Sequence, residues 1–197
     1  MKNWKVILIG GSSATGKSYL AKQLSSYYKI PLTEVDDIRI TLQQVLDRKS
    51  HSDLFFFLDN QDFINKFDTD ELVLKLLKVG SEIWPALKVL IEKHIACNEP
   101  IIFEGDGIIP DLIAKENFKS VLPTFIHDTK ENILERDIKR SRGKNYNVNL
   151  ATKQSDFSFA FGEEIEKQAQ EASFTIIEAS PIDTLFERTL KTIELSK

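Results

Sequence analysis

The chain has 197 residues, of which 42% are hydrophobic and 28% charged, a composition typical of a single globular α/β domain. Its formal net charge of −4 argues against a nucleic-acid partner, and no apolar run approaches the roughly 20 residues that a membrane span needs. Cys97 is the one cysteine, which excludes an internal disulfide. These features predict a cytoplasmic protein with no membrane contact.

Short apolar runs typical of buried strands alternate with helical patterns along the chain. The predicted strands are 5–9, 32–35, 100–103, a segment within 120–127, and 174–178. The predicted helices are 17–28, 38–46, 69–97 with a break or a kink near Gly80 and Pro85, 130–141, 157–172, and a last helix opening with Pro181. Residues 49–68 are expected to form helical pieces and loops, and residues 145–155 a loop. The alternation predicts a parallel sheet covered on both faces, with ligands at the carboxyl ends of its strands.

The first motif, G-G-S-S-A-T-G-K-S at residues 10–18, fits the phosphate-binding pattern G-x-x-x-x-G-K-[ST] between a predicted strand and a predicted helix. Backbone N–H groups of such a loop surround phosphates, and the helix N-terminus adds its dipole. Lys17 is expected to reach the β- and γ-phosphates of ATP, and the Ser18 hydroxyl to bind Mg²⁺. The residues expected to contact the nucleotide are Gly11, Ser12, Ser13, Ala14, Thr15, Gly16, Lys17 and Ser18.

The second motif is V-D-D-I-R at residues 35–39, where the second predicted strand ends. Asp36 is expected to accept the proton of an attacking hydroxyl or to hold a water bound to Mg²⁺. The alternative is that Asp36 or Asp37 caps a helix that begins at Ile38. Arg39 is expected to bind an anionic acceptor bidentately, unless Asp37 is its partner within the protein.

The third motif is I-I-F-E-G-D-G at residues 101–107. Glu104 ends a predicted buried strand, which is the usual position of an acid that supports Mg²⁺. Asp106 follows it and is expected to face the acceptor. The alternative is that Asp106 is only a turn residue between Gly105 and Gly107.

The fourth motif is E-R-D-I-K-R-S-R-G-K at residues 135–144. Arg136 and Arg140 are four residues apart and therefore share a helix face. Arginines that close over phosphates stabilise charge during phosphoryl transfer, so both are candidate catalytic residues. The alternative is a solvated basic face.

With these residues in view, positions 10–39 resemble the N-terminal half of 2-phosphoglycerate kinase-like proteins. That family has the loop G-G-x-S-x-x-G-K-S and a strand ending in T-D-x-I-R, which here reads V-D-D-I-R. Residues 101–110, I-I-F-E-G-D-G-I-I-P, resemble the family segment E-G-V-H-I-V-P. Where the family segment has an apolar residue followed by a histidine, this chain has Asp106 and Gly107. The family name therefore does not identify the acceptor.

The wider layout is similar to nucleoside monophosphate kinases, shikimate kinases, chloramphenicol phosphotransferases and zeta toxins. This resemblance implies a three-layer P-loop NTPase fold with a five-stranded parallel sheet of order 2-3-1-4-5. It also implies one domain over residues 1–197, with a core of 1–39 and 99–197, a helical insert of about 40–98 that forms the acceptor pocket, and a short lid of about 136–155. In that class the loop at 179–181 borders the adenine, which makes Pro181 a further nucleotide contact.

These motifs and the resemblance predict a kinase that uses ATP and Mg²⁺ to phosphorylate a hydroxyl, or a phosphate, of a small anionic metabolite. One alternative is a toxin-like kinase that acts on a nucleotide sugar. Another is a regulatory ATPase without a small-molecule acceptor. The sequence identifies neither the acceptor nor the oligomeric state.

Overall fold

A computed structural model describes residues 4–141 and 147–195 of the chain. Five strands form one sheet, and they are β1 (Val6–Gly11), β2 (Leu32–Glu34), β3 (Ile101–Glu104), β4 (Val121–His127) and β5 (Thr175–Glu178). All neighbouring strands pair in parallel, in the order β2-β3-β1-β4-β5. The predicted five-stranded parallel sheet and its strand order are confirmed.

Helices connect these strands and cover the sheet. They are α1 (Lys17–Tyr28), α2 (Val35–Val45), α3 (Phe56–Asp59), α4 (Phe63–Lys66), α5 (Thr69–Ala96), α6 (Pro110–Ala114), α7 (Lys130–Ser141), α8 (Val148–Glu171) and α9 (Leu185–Leu195), with a 3₁₀ turn (Ile182–Thr184) before α9. Within the described ranges, no helix combines the length and the apolar character that crossing a bilayer requires.

The central strand β1 shows how the three layers are held together. Val6 and Leu8 pack on one side with residues of α5, α6 and α8, whereas Ile7 and Ile9 pack on the other side with residues of α1 and α9. All four side chains are fully buried, and each burial stabilises the fold by about 1.5–3 kcal/mol. The sheet is therefore the middle layer of three, with β1 between β3 and β4.

Helix α2 begins three residues earlier than the sequence predicts. Val35 is its first residue, and its N-cap is Glu34, whose side chain makes no capping hydrogen bond. Asp36 and Asp37 lie in the first turn, so the interpretation of either one as the N-cap is wrong. The cause is tertiary, because the buried Val35 side chain packs against the turn that follows β3.

Helix α8 begins at Val148, so the loop predicted over 145–155 is wrong from residue 148 onward. Residues 145 and 146 lie outside the described ranges. The Asn147 side chain caps the helix by accepting hydrogen bonds from the N–H groups of residues 149 and 150. Ala151 and Ser155 are the buried positions of the first two turns. A small residue and a hydroxyl give no apolar period, which is why the sequence does not indicate this part of the helix.

Two other helices also differ from prediction. Helix α5 runs without interruption through Gly80 and Pro85, where a break or a kink is expected, so the helix breaks at neither residue. A Cβ added at Gly80 would lie 2.5 Å from Ile109 Cγ1, so this glycine permits close packing and does not end the helix. Pro181 lies in extended backbone before the 3₁₀ turn and is not the first residue of the last helix.

Candidate active site

The loop between β1 and α1 has the backbone form that phosphate binding requires. Ala14 and Gly16 have positive φ values of 60° and 94°, and Gly16 is the N-cap of α1. A Cβ added at Gly16 would lie 2.6 Å from Ile182 Cδ1, so both the conformation and the space favour glycine. The loop therefore directs the N-terminus of α1 at the space above it, where an anion is stabilised.

The loop is supported from below by α8, a contact that the sequence does not predict. Ser158 Oγ donates a hydrogen bond of 2.7 Å to the Ser13 carbonyl oxygen. Within the loop, Thr15 Oγ1 donates a 2.8 Å hydrogen bond to the Ser12 carbonyl oxygen. Ser12 and Thr15 are both buried, so their side chains shape the loop from inside.

Lys17 joins the phosphate-binding loop to the third motif. Its side chain is 7% exposed, and its Nζ lies 2.7 Å from Asp106 Oδ1. The same Nζ donates a 2.6 Å hydrogen bond to the Ser12 carbonyl oxygen. The ammonium group thus lies over the loop, where the β- and γ-phosphates of a bound nucleotide would meet it.

Ser18 and Glu104 form the oxygen pair that the sequence predicts for Mg²⁺. Ser18 Oγ donates a 2.7 Å hydrogen bond to Glu104 Oε1. Burial raises the pKa of the Glu104 carboxyl, and the hydrogen bond from Ser18 and the charge of Lys17 offset only part of that rise. No cluster of three or more His, Cys, Asp or Glu side chains suited to a metal occurs in the described ranges. Two protein oxygens nevertheless fit Mg²⁺, which keeps several waters and binds substrate phosphates.

We expect Glu104→Gln to raise the Tm of the nucleotide-free protein at neutral pH and to weaken Mg²⁺-dependent nucleotide binding by about 10–100-fold. Folding raises the pKa of Glu104, so the ionised group lowers stability at neutral pH, and this cost disappears as the pH falls through the raised pKa. The Tm advantage of the variant should therefore be largest near about pH 8 and shrink toward about pH 4. Melting curves across this range test the expectation, and a variant that is nowhere more stable than wild type contradicts it.

A cleft of about 480 Å³ opens above the loop, at the carboxyl ends of β1, β2 and β3. The predicted site residues that line it are Ser13, Ala14, Gly16, Lys17, Ser18, Asp36, Glu104, Asp106 and Arg136. Five other predicted residues that the structure describes do not line the cleft, and they are Gly11, Ser12, Thr15, Arg39 and Pro181. The Arg140 side chain lies outside the part of the chain that the structure describes. Tyr19, Glu34 and Lys139 also line the cleft and are not among the predicted site residues. Lys139 belongs to the fourth motif, whereas Tyr19 and Glu34 belong to none.

Asp36 and Arg39 are partners of one another. Arg39 Nη2 lies 3.2 Å from Asp36 Oδ1, one helical turn apart on α2. The sequence leaves Asp37 open as the internal partner of Arg39, whereas the structure pairs Arg39 with Asp36. The Arg39 Nε is buried and has no hydrogen-bond partner among the described residues. One donor of this guanidinium group is therefore unsatisfied within the described part of the chain.

Arg136 is anchored by a buried acid that the sequence analysis misses. Arg136 Nη1 donates a 2.7 Å hydrogen bond to the Ala14 carbonyl oxygen, and Arg136 Nη2 binds Asp128 Oδ2. Asp128 also accepts hydrogen bonds from Asn132 Nδ2 and Ser180 Oγ, at 2.8 and 2.9 Å. These contacts connect α7, the phosphate-binding loop and the segment before the 3₁₀ turn. One feature of the sequence could have indicated Asp128: it comes directly after β4, at the strand end where Glu104 lies in β3.

The surroundings of Asp128 determine its charge. Burial alone raises the pKa of this carboxyl, but hydrogen bonds from Arg136, Asn132, the Thr129 N–H and Ser180 outweigh burial and lower the pKa overall. Asp128 is therefore an ionised anchor for Arg136.

No protein-family model and no curated protein matches this chain. Solved structures match its fold at low sequence identity. A gluconokinase from Sinorhizobium meliloti 1021 is 14% identical with a TM-score of 0.54, over 98% of this chain and 94% of that one. A shikimate kinase from Acinetobacter baumannii, in complex with shikimate, is 12% identical with a TM-score of 0.55, over 100% of this chain and 96% of that one.

A shikimate kinase from Aquifex aeolicus is 21% identical with a TM-score of 0.51, over 97% of both chains. At these identities the likeness concerns the fold, and it extends over nearly the whole length of each protein. Together with the strand order and the phosphate-binding loop, it shows that this chain has the fold of P-loop small-molecule kinases.

Proposed function

We propose that this protein transfers the γ-phosphoryl group of ATP, with Mg²⁺, to a hydroxyl or phosphate of a small anionic metabolite. The observation that carries the proposal is the convergence of Lys17, the Ser18–Glu104 pair and three further carboxylates in one cleft. Phosphoryl transfer needs little covalent chemistry from a protein. It needs the reactants to be positioned and their charge to be stabilised, and such a cleft supplies both.

The nucleotide half of the cleft is formed by the loop backbone and by cations. In this proposal, loop N–H groups and Lys17 hold the β- and γ-phosphates, while Ser18 and Glu104 hold Mg²⁺, which neutralises phosphate charge when bound. Arg136 lines the same cleft and donates a hydrogen bond to the Ala14 carbonyl oxygen of the loop, which supports a role for it beside the phosphates. Arg140 and Pro181 remain predicted contributors, at the lid and beside the adenine.

The acceptor half of the cleft is formed by acids that follow β2 and β3. Asp36 is proposed to orient the acceptor or a water on Mg²⁺, and Asp106 to contact the acceptor. Arg39 is proposed to bind its anionic group, which is supported by the buried Arg39 Nε that lacks a partner among the described residues. The helical insert, about 40–98, would then cover the acceptor, and the lid, about 136–155, the phosphates. The finer resemblance to 2-phosphoglycerate kinase-like proteins remains a prediction.

A screen of hydroxylated and phosphorylated metabolites, read by ADP release, tests the proposed function. We expect one chemical class of acceptor to raise ADP release well above the rate in water alone, and Lys17→Ala to remove this stimulation. Steady ATP hydrolysis that no acceptor changes would instead support the regulatory ATPase and contradict the proposal.

Arg39→Ala is expected to raise the KM for the acceptor at least tenfold, with the KM for ATP nearly unchanged. A lost charge-assisted hydrogen bond costs about 1.5–3 kcal/mol, which corresponds to this factor or more. Steady-state kinetics with each substrate varied separately measure both constants. Arg48→Ala is the control, because Arg48 is an exposed arginine of the insert whose charge is paired with Asp59. Equal use of a neutral acceptor by wild type and Arg39→Ala would remove the argument for an anionic substrate.

A further inference from the structure

The turn after β3 places Asp106 in the cleft. Gly105 has φ of 156°, and a Cβ added there would lie 2.9 Å from Val35 Cβ. A Cβ added at Gly107 would lie 3.1 Å from Val35 Cγ1 and 3.2 Å from Ile83 Cδ1. The two glycines thus let the turn lie directly on α2 and α5. Asp106 is the one side chain of this turn, and it is one-third exposed and lines the cleft.

The contact between Asp106 and Lys17 locates this carboxylate relative to the transferred group. Asp106 Oδ1 lies 2.7 Å from Lys17 Nζ, the atom expected to bind the γ-phosphate. Two oxygens that accept hydrogen bonds from one ammonium group lie about 4–5 Å apart. A hydroxyl oxygen fits into that space, within hydrogen-bond distance of the carboxylate and about 3–3.5 Å from phosphorus, as in-line attack requires.

The three other acids that line the cleft, Glu34, Asp36 and Glu104, form no ion pair with Lys17 among the described residues. Glu34 is 46% exposed and lies 4.0 Å from Lys22. Asp36 is 59% exposed and paired with Arg39. Glu104 is buried and accepts the hydrogen bond from Ser18. Asp106 is the acid in this set that both contacts Lys17 and remains accessible to a ligand.

We propose that Asp106, rather than Asp36, is the general base that takes the proton from the acceptor hydroxyl. In this step the Asp106 carboxylate accepts the hydroxyl proton as the acceptor oxygen forms a bond to the γ-phosphorus. The bond between the γ-phosphorus and the bridging oxygen breaks, and its electron pair leaves with ADP. This assignment rests on the proposed function, and it leaves Asp36 the role of orienting the acceptor.

The same contact has a consequence for nucleotide binding. Asp106 and the Ser12 carbonyl oxygen take two of the three donors of the Lys17 ammonium group. A phosphate held by the third donor would lie beside the negative charge of Asp106, which opposes its binding. Removing the negative charge of Asp106 should leave nucleotide affinity unchanged or increase it, even though transfer becomes slow.

The test compares Asp106→Asn with Asp36→Asn and with the control Asp111→Asn, which neutralises an exposed acid on α6 outside the cleft. For Asp106→Asn we expect kcat to fall by about 10²–10⁴-fold, a small change in the acceptor KM, and ATP affinity, measured by titration calorimetry without acceptor, equal to or above that of wild type. Asp36→Asn should lose less in kcat, and Asp111→Asn should behave as wild type.

Three results would overturn this assignment. A kcat for Asp106→Asn within threefold of wild type shows that Asp106 is not the base, while the proposed function stands. Weaker ATP binding by Asp106→Asn shows that Asp106 only positions Lys17. Absence of transfer by the wild type to every acceptor overturns the proposed function, and the assignment with it.

Discussion

Lys17→Ala is expected to reduce ATP turnover by at least about 10²–10³-fold while the protein remains folded. The Lys17 side chain is buried, and its ammonium group contacts the Ser12 carbonyl oxygen of the loop. In the proposed function it faces the position where charge develops during transfer. A preorganised donor in such a site typically contributes this much to the rate. The fold should persist, because Asp106, the charged partner of Lys17, is one-third exposed and can be solvated when Lys17 is absent.

Turnover assays and thermal melts of the same preparations test this expectation. Lys22→Ala is the matched control, because Lys22 lies on the same helix, is 67% exposed and makes only a 4.0 Å contact with Glu34 among the described residues. This control should keep normal turnover and a normal Tm. A folded Lys17→Ala variant with near-normal turnover would refute the nucleotide site.

The second large effect is expected on stability. Asp128→Ala should lower the free energy of unfolding by about 2–4 kcal/mol, because it leaves the Arg136 guanidinium and several other donors without their acceptor. For a chain of this size the corresponding fall in Tm is about 5–15 °C. The pKa of Asp128 is lowered in the folded state, so its contribution is present above the ordinary pKa of aspartate and is lost as the pH falls through the lowered value. The Tm difference should therefore shrink under acid conditions.

Glu135→Ala is the matched control for this prediction. Glu135 lies on α7, as Arg136 does, and forms an ion pair with Lys139. Each of these two side chains is 60% exposed. An exposed ion pair contributes less than about 1 kcal/mol to the free energy of unfolding, so the Tm of this variant should be close to that of wild type. Equal Tm values for Asp128→Ala and Glu135→Ala would show that the buried network contributes nothing beyond a surface contact.

The features predicted well from the sequence depend on local pattern. The apolar run around Ile7 and the motif that ends at Ser18 are adjacent in sequence, so the strand, the loop and the helix follow from one short segment. Glu104 was identified because its strand is continuously apolar and an acid ends it. The position of such an acid beside the loop then follows from the parallel order of β3 and β1.

The features that were missed depend on contacts between distant residues. Val35 starts α2 early because it is buried against a turn some seventy residues later in the chain. Asp128 supports the loop only because Arg136, which it binds, also reaches the Ala14 carbonyl oxygen 122 positions away in the sequence. The pairing of Arg39 with Asp36 depended on the same early start of α2, since it places both residues on one helical turn. Spacing along the sequence carries no information about the first two contacts.

The most direct test of the central claim is the fate of the γ-phosphoryl group itself. ATP labelled at the γ-phosphate is incubated with the protein, Mg²⁺ and a mixture of hydroxylated and phosphorylated metabolites, and the products are separated by chromatography. We predict that the wild type moves label into a small organic phosphate and that Lys17→Ala does not. Label found only in inorganic phosphate, at the same rate with and without the metabolites, would contradict the assignment of this protein as a small-molecule kinase.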